Sequence, residues 1–246
     1  MRDEGRPFEE LLEHGLDELG FPDTLLEGSP PSPARACAFA CALLQKYIEE
    51  IELFNEAYGL VKVTDRRELI IKHVLDSLAP LKTLIRLREN NSGVSSNLRF
   101  AEAWRIADVG SGAGFPGIPL AICLPKAEFT LIERMEKRAG FLRDCIAVLG
   151  IGNVTVEEIE MEKAAPGRFD MAVFRAFRPL EPRILKGLLR LLKPGGFLAA
   201  WKGRLENSRE EMTAAERSFP GLQWEIHPIT VPFLEEERHL TVIRTE

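Results

Sequence analysis

The residues whose types and spacing could do chemistry are concentrated at positions 106–117, which read Ile-Ala-Asp-Val-Gly-Ser-Gly-Ala-Gly-Phe-Pro-Gly. A short apolar run ends at Asp108, and an apolar segment with a helical pattern follows the last glycine. Glycine is required where a turn needs φ > 0 or where a side chain would collide with a ligand. An ordinary turn needs one glycine, so four in eight residues indicate a ligand-binding loop. A strand, a glycine turn and a helix N-terminus together bind nucleotide-like ligands.

The spacing by itself leaves two ligands open. The pattern Gly-x-Gly-x-x-Gly at 112–117 matches the dinucleotide fingerprint, and Glu133 stands where that fingerprint expects a ribose-binding acid. The pattern Asp-x-Gly-x-Gly-x-Gly at 108–114 matches enzymes that use S-adenosylmethionine (SAM) equally well. Glu133 can accept hydrogen bonds from both ribose hydroxyls, although an acid near a helix N-terminus is also an ordinary feature.

From residue 104 onward, short apolar runs alternate with helical patterns, which predicts a parallel sheet covered by helices. Two strand-like runs with no helix between them follow, and they predict an antiparallel hairpin at the sheet edge. That hairpin is typical of SAM-dependent methyltransferases, whereas dinucleotide folds keep their strands parallel. The predicted fold is therefore α/β, with a mostly parallel seven-stranded sheet and a C-terminal antiparallel hairpin. The predicted strands are Arg105–Asp108, Glu128–Ile132, Val154–Glu158, Met171–Arg175, Phe197–Trp201, Gln223–Val231 and Arg238–Arg244.

Besides the helical segment that follows Gly117, two further helices are predicted between these strands, Lys137–Leu149 and Ile184–Leu192, the second closed by a left-handed glycine within Lys193–Gly196. Residues 1–100 have the pattern of an N-terminal helical extension, and residues 101–246 that of the sheet domain. Apolar positions at helical spacing predict helices over 7–19, with Phe8 on the apolar face, over about 32–54, and from Asp65 to Pro80. The polar residues 88–97 predict a loop.

Composition limits the classes of protein to consider. No run of apolar residues is long enough to span a membrane, and the N-terminal residues 1–7 have no apolar core behind a basic start, unlike a signal peptide, so we expect a cytoplasmic protein. The net charge is −6, but residues 1–60 carry 4 basic and 13 acidic side chains and the remainder 28 and 25. The remainder can therefore present a basic face to RNA. The four cysteines are interpreted as buried free thiols, and no metal site is expected.

Residues 108–119 resemble the signature of the bacterial small-subunit ribosomal RNA guanine-N7 methyltransferase family, once called glucose-inhibited division protein B. The resemblance covers residues 40–244. The departures are Gly59–Val61, Glu160 and Phe174, where the family usually has Asn-Leu-Thr, an arginine and a serine. Further matches follow the family's order at Lys72–Leu78, Lys137 and Arg138, Phe174–Ala176, Lys202 and Gly203, and Glu237–Leu240.

The resemblance implies a SAM-dependent methyltransferase (Rossmann-like) fold and N7-methylation of a guanine in the 530 stem-loop of 16S rRNA. It also implies SAM contacts for five residues: Gly110, Phe115, Met161, Glu162 and Arg175. The residue types and spacing independently suggest Asp108, Gly112, Gly114 and Glu133. Arg175 is the one expected catalytic residue, because an arginine at a strand's carboxyl end can clamp the SAM carboxylate or an RNA phosphate bidentately.

Guanine N7 has a lone pair and no proton, so its methylation needs no general base. His73 and His239 are accordingly interpreted as structural. The target nucleobase must be held outside its stack, against Phe115, Phe177 or another aromatic ring. The expected partner is 16S rRNA or the small ribosomal subunit, bound by a monomer. The candidate RNA-binding residues are Lys62, Arg66, Arg67, Lys72, Lys137, Arg138, Arg178 and Lys202.

Two rival functions remain open on the sequence. The glycine spacing together with Glu133 also fits an NAD-dependent oxidoreductase. A non-catalytic RNA-binding or ribosome-assembly protein could share the same fold.

Overall fold

The structure is a computed structural model and describes residues 7–21, 33–91 and 104–244. A seven-stranded sheet lies at its centre, in the order β3-β2-β1-β4-β5-β7-β6. Strands β1 to β5 are parallel, and β7 runs antiparallel to both of its neighbours, β5 and β6. The predicted seven-stranded α/β fold with a C-terminal hairpin is confirmed. The strands are β1 Arg105–Val109, β2 Glu128–Ile132, β3 Val154–Glu157, β4 Phe169–Arg175, β5 Leu192–Lys202, β6 Gln223–Ile229 and β7 Arg238–Arg244.

Successive strand residues point to opposite faces of the sheet, so the apolar residues of one strand lie on both faces. Helices cover both faces and bury these residues. Ile106 of β1 packs into a core shared with the N-terminal helices, α6 and α7, whereas its neighbour Ala107 packs into a second core with α8 and α9. The N-terminal helices share one core with the sheet. The predicted division of the chain into a helical extension and a sheet domain at residue 100 stays a prediction. The helices are α1 Phe8–Glu18, α2 Pro33–Tyr58, α3 Arg66–Leu69, α4 Asp76–Leu78, α5 Leu81–Asn91, α6 Gly117–Cys123, α7 Glu136–Leu149, α8 Pro182–Arg190 and α9 Leu205–Ser218.

A π-helical turn, Ile70–Leu75, joins α3 to α4 and places polar side chains at the carboxyl edge of the sheet. The segment starts at Asp65, whose carboxylate accepts a hydrogen bond from the Glu68 backbone N–H at 2.8 Å. Glu68 in turn accepts from the Thr64 backbone N–H at 2.7 Å, which completes a reciprocal N-cap. The predicted helix start at Asp65 and the predicted break at Pro80 both agree with these elements, whereas the π-helical turn was not predicted.

Several local features of the structure differ from the predictions or were missed by them. Helix α9 was not predicted, because most of its residues are polar and only Ser208, Met212 and Ala215 are buried. Residues 88–91 belong to α5 and not to a loop, and the rest of the predicted loop lies outside the described residues. Phe8 does not join the apolar face of α1, because it is 43% exposed.

The predicted glycine cap of α8 was also wrong. The helix ends at Arg190, and the capping residue Leu191 keeps a right-handed conformation. The left-handed glycine, Gly195, lies in a bulge of β5 instead, between the residues paired with Phe169 and Met171. Within the described residues, no helix has the length and apolar character needed to cross a membrane.

Candidate active site

The glycine loop turns the chain from β1 into α6 and has the shape of a cradle. Gly110, Gly112 and Gly114 all have positive φ, which the loop requires at successive turns. A side chain at Gly110 would collide with the ring of Phe177, and a Cβ at Gly117 would lie 2.6 Å from Asp108 Oδ2. Space limits the loop to glycine at these two positions.

The backbone N–H groups of all four loop glycines donate hydrogen bonds within the protein. The Gly110 N–H donates to the Ile132 carbonyl at 2.8 Å, and the Gly114 N–H donates to the Ser111 carbonyl at 2.7 Å. The Gly112 and Gly117 N–H groups each donate to a buried carboxylate at 2.9 Å. The glycines therefore supply shape and close approach, and the polar groups of the site come from side chains.

Asp108 is the more buried of the two carboxylates at the loop, with no solvent exposure. Its Oδ2 accepts from the Gly117 N–H, whereas Oδ1 has no hydrogen-bond partner among the described residues. Burial raises the pKa of Asp108 to about 7, against the lowering effect of the Gly117 hydrogen bond. A buried oxygen without a partner costs free energy, so this oxygen is suited to a polar or cationic group.

Glu133 lies directly after β2 and is 4% exposed. Its two oxygens accept from the Gly112 and Met135 backbone N–H groups, both at 2.9 Å, so the carboxylate fixes the loop from the neighbouring strand. Each carboxylate oxygen keeps a second lone pair. The predicted role in holding ribose hydroxyls therefore has a defined geometry and stays a prediction.

Met161 and Glu162 form a short 3₁₀ turn after β3. The Met161 side chain is buried against Gly187 of α8, so its sulfur belongs to the second core and does not face the open site. Glu162 is half-buried and lies 3.5 Å from the Arg178 guanidinium. The predicted adenine contacts of Met161 and Glu162 stay a prediction.

Phe115 is buried and cannot offer a ring face to an RNA nucleobase in this arrangement. Its ring packs between those of Tyr47 and His73, at centroid distances of 5.2 and 5.0 Å. The Arg175 guanidinium lies over it at 5.1 Å. Phe177, the other predicted aromatic platform, is half-buried beside Gly110 and is preceded by Ala176 in a left-handed conformation.

Tyr47 of α2 is a residue of the site that the sequence pattern missed. Its buried hydroxyl donates to the Ala113 carbonyl in the glycine loop at 2.7 Å. The helical spacing of α2 indicated only an apolar face, and nothing in that spacing distinguishes a tyrosine that packs from one that holds a loop.

A cleft of about 720 Å³ opens beside the glycine loop, at the carboxyl ends of β4 and β5. Open α/β sheets bind their ligands at this edge. Cationic side chains outnumber acidic ones on its walls. Phe177 lines the cleft and also lies next to Gly110 of the glycine loop. The charged residues that line it are Lys72, Asp76, Arg175, Arg178, Lys202, Glu211 and Arg238.

Arg175 does not have the free guanidinium that the predicted clamp requires. Its Nη1 donates to Asp76 Oδ2 at 2.8 Å and to the Lys72 carbonyl, and its Nη2 donates to His73 Nδ1 at 2.6 Å. These acceptors come from the π-helical turn and α4, which the sequence pattern assigned to a separate extension. Both terminal nitrogens are therefore engaged inside the protein.

Asp76 connects the N-terminal helices to the sheet. Its carboxylate also accepts from Arg238 Nε of β7 at 3.1 Å, and its backbone carbonyl accepts from Trp201 Nε1 of β5 at 2.9 Å. Both Asp76 and Arg238 lie within segments that carried the sequence resemblance, which was the only signal for them.

The structure brings only part of the predicted RNA-binding set to the cleft. Lys72, Arg178 and Lys202 line it, and each forms an ion pair, with Glu68, Glu162 and Glu211 respectively. Arg138 lies near Gly112, and Lys137 is exposed at the start of α7. Arg66 instead pairs with Glu52 of α2 and lies over Phe8. Lys62 is exposed in the segment before α3, and Arg67 is half-buried in α3 itself.

The cysteines agree with their interpretation as free thiols. Cys41, Cys123 and Cys145 are buried, and Cys37 is half-buried. Burial raises the pKa of the Cys41 and Cys145 thiols to about 12. These thiols are therefore protonated and unreactive near neutral pH.

Comparison with known proteins identifies the family. A model of the rRNA small subunit methyltransferase G family (GidB) matches residues 40–241. This chain belongs to that family. Ribosomal RNA small subunit methyltransferase G of Treponema denticola is 39% identical over 249 aligned positions, which cover 95% of this chain and 93% of the relative. The protein of the same name from Aromatoleum aromaticum is 38% identical, with coverages of 94% and 96%. The resemblance found in the sequence is confirmed.

A solved structure supports the fold of this methyltransferase G family member. A putative O-methyltransferase from Klebsiella pneumoniae superposes with a TM-score of 0.54 at 18% identity, and the match covers 98% of this chain and all of that one. The sheet is therefore that of the methyltransferases, in agreement with the predicted SAM-dependent fold.

Proposed function

We propose that this protein is a SAM-dependent methyltransferase that transfers a methyl group to N7 of a guanine in the 530 stem-loop of bacterial 16S rRNA. Its membership of the rRNA small subunit methyltransferase G family carries the proposal, since the match includes the glycine loop and both walls of the cleft. Methylation of small-subunit rRNA follows from the family, while the N7 atom and the stem-loop come from the sequence resemblance.

The polar groups at the loop fit SAM as the methyl donor. SAM carries a sulfonium and an ammonium, and Asp108 offers a buried oxygen without a protein partner. Glu133, on the next strand, has lone pairs left for the ribose hydroxyls. Gly110, Gly112 and Gly114 let the backbone approach the methionine portion closely.

The chain's contribution to catalysis is alignment and electrostatics. SAM supplies an activated methyl group, and guanine N7 needs no deprotonation before it attacks. Holding N7, methyl carbon and sulfur in line supplies a large part of the rate enhancement. The glycine loop at 110–114 would hold SAM, and the cleft beside Phe177 would hold the guanine. His73 cannot serve as a general base near neutral pH with any useful strength, because its pKa is lowered to about 3.

The cleft cations are suited to RNA phosphates. Lys72, Arg178 and Lys202 line it, and RNA phosphates can displace their present carboxylate partners because surface ion pairs are weak. Lys137 and Arg138 extend this basic surface past the glycine loop. The substrate is free 16S rRNA or the small subunit, which places the protein in the cytoplasm, and we propose that it acts as a monomer.

Binding measurements separate this proposal from the oxidoreductase that the glycine spacing also fits. Isothermal titration calorimetry with SAM and with NAD should give micromolar binding for SAM alone. Tight NAD binding without SAM binding would overturn the proposed cofactor.

Mapping of methylated guanines in cells tests the substrate and the non-catalytic alternative together. Small-subunit rRNA from cells that lack this protein should have lost one N7-methylguanosine, in the 530 stem-loop, and expression of the protein should restore it. An unchanged methylation pattern would favour a non-catalytic role in RNA binding or subunit assembly.

A further inference from the structure

A chain of three hydrogen-bonded side chains runs from α4 into the cleft and ends at His73. Asp76 accepts from Arg175 Nη1 at 2.8 Å, and Arg175 Nη2 contacts His73 Nδ1 at 2.6 Å. A guanidinium has only donors, so Nδ1 of His73 must be the acceptor. The ring proton of His73 is therefore on Nε2.

The His73 ring is neutral as well as fixed in one tautomer. Burial, followed by the positive charge of Arg175, lowers the pKa of His73 to about 3. Nε2 consequently presents one N–H donor and no acceptor. No hydrogen-bond partner for Nε2 occurs in the described parts of the chain.

His73 also lies at the right place to meet a nucleobase. Its ring is 5.0 Å from that of Phe115 in the glycine loop, and it lines the cleft between Lys72 and Asp76. The His73 ring, which carries the unpaired donor, thus lies between the loop that we assign to the methyl donor and the space that we assign to the RNA.

The edge of guanine that carries N7 also carries O6, and both atoms are acceptors. Adenine has the same N7 but an amino group in place of O6. A fixed N–H donor without acceptor capacity pairs with guanine O6 and opposes the adenine amino group. A site built around one such donor rejects a substrate that leaves it unpaired.

We propose that His73 is a specificity-determining residue that donates its Nε2–H to O6 of the target guanine while N7 faces the methyl group. Arg175 and Asp76 act through it as positioning residues that fix the tautomer and the ring orientation. This inference rests on the proposed function, because it requires a guanine substrate.

The test combines a change in the protein with the removal of one atom from the substrate. Wild type and His73→Leu are assayed on small-subunit particles reconstituted with guanine or 2-aminopurine at the target position. 2-Aminopurine keeps N7 but has hydrogen in place of O6. The intrinsic difference in reactivity between the two nucleobases cancels, because each enzyme is measured on both.

On guanine, the variant should be about 20-fold slower than wild type in kcat/KM, the loss expected for one oriented hydrogen bond. On 2-aminopurine, the two enzymes should agree within about threefold, since the atom that His73 reads is missing. An equal loss on both nucleobases would assign His73 a structural role and overturn the proposal.

His73→Gln provides a second test, because its amide N–H can donate to O6 without the same fixed orientation. Its preference for guanine over 2-aminopurine should lie between those of wild type and His73→Leu, and a preference no higher than that of His73→Leu would contradict the proposal. Calorimetry with SAM checks that each variant is folded. Wild-type protein that methylates no guanine, in particles or in free RNA, would instead reject the proposed function itself.

Discussion

At the scale of single residues, Asp108 best illustrates how the site departs from an ordinary folded core. One of its oxygens holds the start of α6 through Gly117, and the other has no partner in the described residues. A protein optimised for stability alone would pair or remove such an oxygen. An unpaired buried oxygen lowers the stability of the folded protein, and such destabilising groups are retained mainly at functional sites.

The raised pKa of Asp108 predicts how stability depends on pH. Its pKa is about 7 in the folded protein, against the ordinary value of 3.8. Between these values the folded state binds more protons than the unfolded state, so this group makes the free energy of unfolding fall as pH rises toward 7. Asp108→Asn should lack that contribution while its amide oxygen still accepts from Gly117.

Chemical denaturation of both proteins at pH 5 and pH 8 measures this effect. The stability of Asp108→Asn relative to wild type should be higher at pH 8 than at pH 5, because titration of all other groups is common to both proteins. An equal difference at the two pH values would show that Asp108 has an ordinary pKa.

At the scale of elements, the N-terminal helices complete the site and do not merely extend the sheet domain. Helix α2 reaches the glycine loop through Tyr47, and α4 reaches β4, β5 and β7 through Asp76. The segment Lys72–Leu78 was part of the sequence resemblance. The resemblance did not indicate that Asp76 pairs with two arginines that are distant in the sequence. Sequence patterns identify the elements, and the contacts between them depend on how they pack.

Tyr47→Phe should weaken SAM binding by about three- to tenfold, since the glycine loop loses one oriented hydrogen bond worth about 1 kcal/mol. Tyr58→Phe is a matched control, because Tyr58 lies at the exposed end of the same helix. Calorimetry with SAM on both variants checks the result. Unchanged affinity in Tyr47→Phe would mean that α2 does not position the loop.

Asp76→Ala should lower the free energy of unfolding by about 3 kcal/mol, because it leaves Arg175 and Arg238 without their buried carboxylate. Asp144→Ala on the exposed face of α7 should change stability by less than about 0.5 kcal/mol. Urea denaturation of the two variants measures both values. A loss below about 1 kcal/mol for Asp76→Ala would show that the helix–sheet connection is weak.

At the scale of the whole molecule, net charge misrepresents the surface that matters. The chain is acidic at −6, yet the cleft at the carboxyl edge is lined by five cations and two acids. The edge follows from topology, because parallel strands bring their carboxyl ends together. The alternation of strands and helices therefore predicted where the site lies.

The same alternation could not predict which cations reach the cleft. Arg66 is close in sequence to Glu68, and the same segment supplies residues that line the cleft. The guanidinium of Arg66 nevertheless forms an ion pair with Glu52 of α2. Arg238 lines the cleft from the last strand, on the far side of the chain sequence, and was not among the predicted residues. Whether each arginine reaches the cleft depends on the side chains that it meets on other helices and strands. A single sequence does not show which side chains those are.

Charge reversal on either side of β2 tests the assignment of the RNA-binding face. Lys137 follows the carboxyl end of β2 and Lys126 precedes its amino end, and both side chains are exposed. Lys137→Glu should weaken binding to small-subunit rRNA about tenfold at low salt and reduce the salt dependence by about one to two charges. Lys126→Glu should change affinity by less than about twofold.

Filter binding across a salt series measures these effects. Equal losses in the two variants would mean that RNA binds without preference for the carboxyl edge of the sheet, and Lys137 would then lose its assignment to the RNA-binding face.

The most direct test of the central claim is methyl transfer by the purified protein. Labelled SAM is incubated with the protein and with small subunits, or their free RNA, from cells that lack it, and the labelled nucleotide is then mapped. The account predicts one labelled N7-methylguanosine within the 530 stem-loop. RNA that stays unlabelled in both preparations, or a methyl group on another atom or in another region, would contradict it.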